Sequence, residues 1–179
     1  MPESGNRTLF TSEGSVASVI EQLLQQAPTS VDAAVHRITN PRLGRALGQA
    51  QNRGLRVRLL LDRNKFEKTA APRELLAENS VSFRAIYGRK EKGSKLHHKF
   101  AVLDRHVLLT GSYNWTIESE EQNCNHMLII RYPKLVLDYQ QEFDRLWPSE
   151  TERSATRSKS QESIAYQREN HAASRHCTK

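Results

Sequence analysis

Short apolar runs that alternate with segments of helical spacing limit this chain to a layered α/β fold. Residues 8–11, 31–38, 57–61, 81–86, 100–103, 107–109 and 127–130 read as strands, and 57–61 ends at Asp62. After the first of them, Val16, Val19, Ile20, Leu23, Leu24 and Ala27 recur at helical spacing, with Ser12 or Ser15 placed as cap. Asn40 as cap and Pro41 at the first helical position open a second helix through Leu43, Ala46, Leu47 and Ala50, which Gly54 closes. A short helix is expected around 73–77. A closing helix is expected over 133–147, with Leu135, Leu137, Tyr139, Phe143 and Leu146 apolar. The fold expected is α/β, a mixed β-sheet layered between helices.

A chain of 179 residues with 37% hydrophobic content is long enough to pack one core. From residue 148 apolar residues thin out, and Ser, Arg, Glu and Gln dominate. The expected organisation is a catalytic domain over 1–147 and a disordered Ser/Arg-rich tail over 148–179. The net charge of +7 favours an anionic partner, nucleic acid or an anionic lipid surface. No apolar run approaches the length of a membrane span, and no signal peptide precedes 8–11. Cys124 and Cys177 supply neither a metal ligand set nor a disulfide framework, so a reducing cytoplasm is the expected setting.

Chemistry concentrates in His97-x-Lys99, Asp104 and Gly111-Ser112-x-Asn114. Alternation along a strand projects His97 and Lys99 together and turns His98 to the other side, as a buried or interface residue. The pattern resembles the signature of the phospholipase D superfamily, in the branch that carries one motif per chain. That branch contains small endonucleases and mitochondrial cardiolipin hydrolases. The resemblance is strong over 96–130, looser over 7–147, and implies the same layered fold.

A phosphodiester repels nucleophiles, so a catalyst must neutralise its charge and supply an attacking group. Lys99 provides fixed positive charge, and Asn114 offers an amide hydrogen bond to a phosphoryl oxygen. His97 is the candidate nucleophile, forming a covalent phosphohistidine. No metal and no cofactor is expected. Gly111 suits tight backbone passage beside the site, and Ser112 offers a nearby hydroxyl for substrate or for support. Asp104 stands either with the catalytic set or as a turn-holding carboxylate. His36, His106 and His126 read as structural, and Trp115 as core.

Relatives of the single-motif branch commonly place a glutamate eleven residues after the motif asparagine, where it orients the histidine. Here that position is Asn125, with Glu118, Glu120 and Glu121 as the carboxylates nearby. One motif gives one histidine where the mechanism uses two, so a homodimer with a shared site is expected. Arg84, Arg89, Lys90, Lys92 and Lys95 cluster before the motif against one carboxylate, Glu91. Arg89, Lys90, Lys92 and Lys95 are therefore candidate substrate-binding residues beside Lys99, Ser112 and Asn114. The expected function is a metal-independent endonuclease cleaving DNA or RNA. The alternatives are a lipid phosphodiesterase acting on phospholipid, and a catalytically weak nucleic-acid-binding module.

Overall fold

In the computed structural model, which describes residues 5–90 and 93–147, the chain runs β1 (Arg7–Phe10), α1 (Val16–Gln26), β2 (Ser30–Val35), α2 (Pro41–Asn52), β3 (Arg56–Asp62), α3 (Arg63–Lys68), α4 (Ala71–Glu78), β4 (Phe83–Ile86), β5 (Lys99–Leu103), β6 (Val107–Gly111), α5 (Ile117–Glu121), β7 (His126–Ile130) and α6 (Pro133–Leu146). The tail expected over 148–179 lies outside the described residues. The strands form one sheet in the order β1-β7-β6-β5-β2-β3-β4. β2, β3 and β4 run parallel, and β5 is antiparallel to both β2 and β6.

Side chains on one face of the sheet build the main core. Val31, Ala33 and Val35 of β2 meet Ile20 and Leu24 of α1 and Leu43 and Leu47 of α2. Each is fully buried, and each such side chain contributes roughly 1.5–3 kcal/mol for an aliphatic group of Val to Leu size. Ser15 Oγ accepts the Ser18 N–H at 3.0 Å, and Asn40 Oδ1 accepts the Arg42 N–H at 3.0 Å. Each cap satisfies an amide that the first helical turn leaves open, worth about 1 kcal/mol.

α6 covers the other face, where Phe100 packs edge-on against Tyr139 with ring centres 5.0 Å apart. Asp32 also points to this side and is 1% exposed. Arg58, its register partner on β3, binds both carboxylate oxygens at 2.7 Å, and Gln140 Nε2 donates at 2.9 Å. Helices on both faces of a mixed sheet are what the alternating pattern predicts.

Two short helices, α3 and α5, are departures from the sequence expectation. With six and five residues they are too short for an apolar period, and α3 buries none of its residues. Their caps define them instead: Asp62 accepts the Lys65 N–H at 2.9 Å, and Thr116 accepts the Ser119 N–H at 3.2 Å. β2 also stops at Val35, short of the expected 38, although the His36 N–H still donates to the His98 carbonyl at 2.8 Å, in register with the β2–β5 ladder.

Candidate active site

The carboxyl ends of β2, β3 and β6 and the amino end of β5 meet on one edge of the sheet. Carboxyl ends of parallel strands are where α/β sheets hold ligands, because the connecting loops splay apart there. This edge carries His97 and Lys99. Lys99 Nζ donates to the His97 carbonyl at 3.0 Å and stands 3.5 Å from His97 Nδ1. Their pairing follows from the alternation of the strand. His98 turns the other way, as expected, but it is exposed rather than buried, against the Phe100 ring and 3.5 Å from Glu142.

Asp62 fixes the loop that delivers the motif. It is fully buried, and beyond capping α3 its second oxygen accepts the Leu96 N–H at 2.8 Å. Asn64 holds the same loop through the Ser94 carbonyl at 2.7 Å. Gly88 lets the loop close on itself, since a Cβ there would lie 2.4 Å from the Lys95 carbonyl oxygen. Arg89, Lys90 and Lys95 are exposed on this loop, while Lys92 lies outside the described residues.

Asn114 arrives on the segment after β6, between Tyr113 and Trp115, both 0% exposed. Trp115 crosses the end of β2, its N–H bonded to the Arg37 carbonyl at 3.1 Å and its carbonyl accepting from Thr39 and Asn40. The Asn114 amide oxygen is buried without a partner among the described residues. Gly111 permits the close passage: a Cβ would meet the His126 carbonyl oxygen at 2.2 Å. Ser112 commits its hydroxyl to this junction, donating to Asn125 Oδ1 at 3.0 Å and accepting the His126 N–H at 3.1 Å. Ser112 thus supports the strand crossing.

Asp104 sits at the opposite end of β5, roughly 16 Å from Lys99 at about 3.3 Å per residue. One of its oxygens accepts the Thr29 N–H at 2.8 Å, the Thr29 hydroxyl at 2.6 Å and the Ser30 N–H at 2.8 Å. The carboxylate ties the β5–β6 turn to the start of β2, the geometry of the turn-holding alternative. Asp104→Ala is expected to lower unfolding free energy by about 1–2 kcal/mol while kcat stays within threefold. Urea unfolding and turnover of the folded variant check this; a hundredfold loss of kcat would return Asp104 to the reacting centre.

Of the carboxylates near Asn125, Glu118 and Glu120 have partners elsewhere. Glu118 pairs with Arg37 at 3.2 Å, and Glu120 accepts from the Tyr113 hydroxyl at 2.7 Å and the Ala17 N–H at 3.1 Å. Asn125 itself faces Ser112 and donates to the Ser119 carbonyl at 3.3 Å. Among the described residues, no group of three or more His, Cys, Asp or Glu is arranged to hold a metal ion.

His36 is the residue that the sequence assigns to structure and the fold brings to the site. Its ring lies beside that of His97, centroids 4.6 Å apart and tilted by 54°. Burial, then the Lys99 and His97 charges, push its pKa down to about 4, against an upward pull from Asp62. Burial and then Lys99 also hold His97 below its usual value, and burial lowers Lys99. Both imidazoles are therefore neutral near pH 7. Next to them opens a cleft of about 200 Å³ whose lining includes His36, Arg37, Thr39, Asp62, Lys65 and Lys68.

The family model described as "Cardiolipin synthase, PLD-like domain" matches residues 20–147. The chain belongs to the phospholipase D superfamily. The mitochondrial cardiolipin hydrolase of Xenopus tropicalis is 36% identical over 125 residues, 70% of this chain and 58% of the relative. The human mitochondrial cardiolipin hydrolase is 31% identical over 147 residues, 82% of this chain and 56% of that protein. This superfamily member thus spans a little over half the length of these relatives. Nuc from Salmonella typhimurium, a phospholipase D family member, superposes with a TM-score of 0.70 at 22% identity, covering 80% of this chain and 93% of Nuc. NucT from Helicobacter pylori gives 0.69 at 18% identity, covering 78% and 93%. At those identities the two structures establish a shared fold.

Proposed function

We propose that this chain is a phosphodiesterase whose His97 attacks phosphorus to form a covalent phosphohistidine that water then hydrolyses. The observation that carries the reading is the Lys99 ammonium held against a neutral His97 imidazole at the edge where Asn114 also arrives. Lys99 neutralises the diester, Asn114 orients a phosphoryl oxygen, and His97 keeps its lone pair for attack. Positive charge for the transition state comes from side chains, so turnover is expected without a divalent metal.

Nucleic acid is the favoured substrate. Arg89, Lys90 and Lys95 are exposed before the motif, Lys92 adds a further cation in the sequence there, and Lys65 and Lys68 line the adjoining cleft. Such spacing suits a backbone with repeated phosphates. Two copies related by a two-fold axis would bring a second His97 to protonate the leaving oxygen. The lipid reading is favoured by the cardiolipin hydrolases among the relatives, and no described helix is long and apolar enough to cross a membrane. The cytoplasmic setting belongs to the nucleic-acid reading and a mitochondrial one to the lipid reading.

Incubation with plasmid or single-stranded oligonucleotide in EDTA, and separately with cardiolipin vesicles, decides between them. Nicking that survives chelation is the expected result. Cardiolipin turnover without nicking would establish the lipid alternative, and binding without either reaction would establish a binding module. Solution mass tests the dimer, which an active monomer would overturn.

A further inference from the structure

An imidazole that attacks phosphorus becomes positively charged, and its remaining ring N–H then requires an acceptor. The groups around His97 narrow the choice. Lys99 can only donate. The oxygens of Asp62 already accept the Lys65 and Leu96 amides, and the Asn125 oxygen faces Ser112. Glu120 accepts from Tyr113, and Glu118 pairs with Arg37 through one oxygen; the other Glu118 oxygen and the Asn114 amide oxygen are buried acceptors without a partner among the described residues.

His36 is the acceptor whose ring lies against that of His97. Its backbone N–H bonds to the carbonyl of His98, the neighbour of His97 in sequence, which fixes where its ring stands. The residue is 7% exposed, and its Nε2 is buried with no hydrogen-bond partner among the described residues. A buried polar atom without a partner destabilises the fold, a penalty that phenylalanine at this position would avoid. Such an atom beside a nucleophile calls for a partner that forms during the reaction.

We propose that His36 is a positioning residue for His97: its neutral imidazole accepts the hydrogen bond of the His97 ring N–H as the nitrogen–phosphorus bond forms. The proposal rests on His97 being the nucleophile. In the step, the His97 lone pair forms the N–P bond while the bond from phosphorus to the leaving oxygen breaks with its electron pair. The leaving oxygen takes its proton from the His97 of a second copy, as in the proposed dimer, and His36 exchanges no proton. His36 thereby fills the acceptor role for which Asn125 is not placed.

The test uses the full chain and bis(4-nitrophenyl) phosphate, a diester whose leaving group departs without a general acid. His36→Phe keeps a ring but no acceptor and is expected to lower kcat at least tenfold with KM within twofold. His36→Asn, which restores an acceptor, is expected to recover at least a third of the wild-type kcat. A fully active His36→Phe, or a His36→Asn no better than His36→Phe, overturns the proposal. Should the variants fail to fold, histidine-ring ¹⁵N spectra of the wild type with and without orthovanadate give the answer. A shift at His36 on vanadate binding is expected, and an unchanged resonance overturns the role. His97→Ala runs in parallel: an active His97→Ala overturns the nucleophile assignment itself. An inactive His97→Ala beside an active His36→Phe overturns only the His36 role.

Discussion

His97→Ala is expected to lower kcat by about 10⁴-fold or more, because removing a nucleophile removes the covalent route itself. KM should change little, since Lys99 and Asn114 still hold the diester. The pH profile carries a second signature. Protonation takes the lone pair from His97, so activity should be level near neutrality and fall as pH drops through the pKa of His97. That pKa lies below its ordinary 6.5, through burial first and the Lys99 charge second. Lys99→Met removes the charge, so the acid limb should move to higher pH while kcat falls by about 10²–10³. Steady-state kinetics between pH 4 and pH 9 checks both; an acid limb that stays in place in Lys99→Met would separate the two residues.

Asp32→Ala should give the largest loss of stability, about 3–5 kcal/mol, because it removes a buried carboxylate that holds Arg58, Arg56 and Gln140 at once. Arg58 keeps its guanidinium under α6 with its side chain 16% exposed, and Gln140, 3% exposed, loses its acceptor. The deficit arises from leaving one partner, so it should not equal the worth of the pair. Asp32→Leu combined with Arg58→Met is expected to recover more than half of it, since burying an ion pair carries its own desolvation penalty. Urea unfolding of the three proteins measures this. A loss below about 1 kcal/mol in Asp32→Ala would mean that water reaches Arg58.

Much of this architecture was legible in the residues. Pro41 behind Asn40, and the helical spacing from Val16, mark helices that the structure contains at those positions. The motif spacing also marks out His97 and Lys99 as neighbours, because a strand repeats every second residue. His36 was not legible. It lies far from His97 in sequence, and only the pairing of Val35 with Lys99 across two antiparallel strands makes them neighbours. Register is a property of the assembled sheet, and no local pattern around His36 encodes it. Asp62 was hidden for a related reason: it reads as the end of an apolar strand, while its work is to cap one helix and hold a loop from elsewhere. Asp104 shows the converse. A residue inside a strong motif served the backbone, and its left-handed φ of 53° marks it as part of a tight turn.

The loop between β4 and β5 is closed at its base by Gly88 against Lys95 and pinned from outside by Asp62 and Asn64. The anchored groups on the loop are backbone atoms of Ser94, Lys95 and Leu96, so the anchoring does not depend on the side chains the loop carries. The segment 89–94 is thus a natural cassette: grafting a different one onto the same anchors would change which polyanion is held while the bond-breaking groups stay where they are.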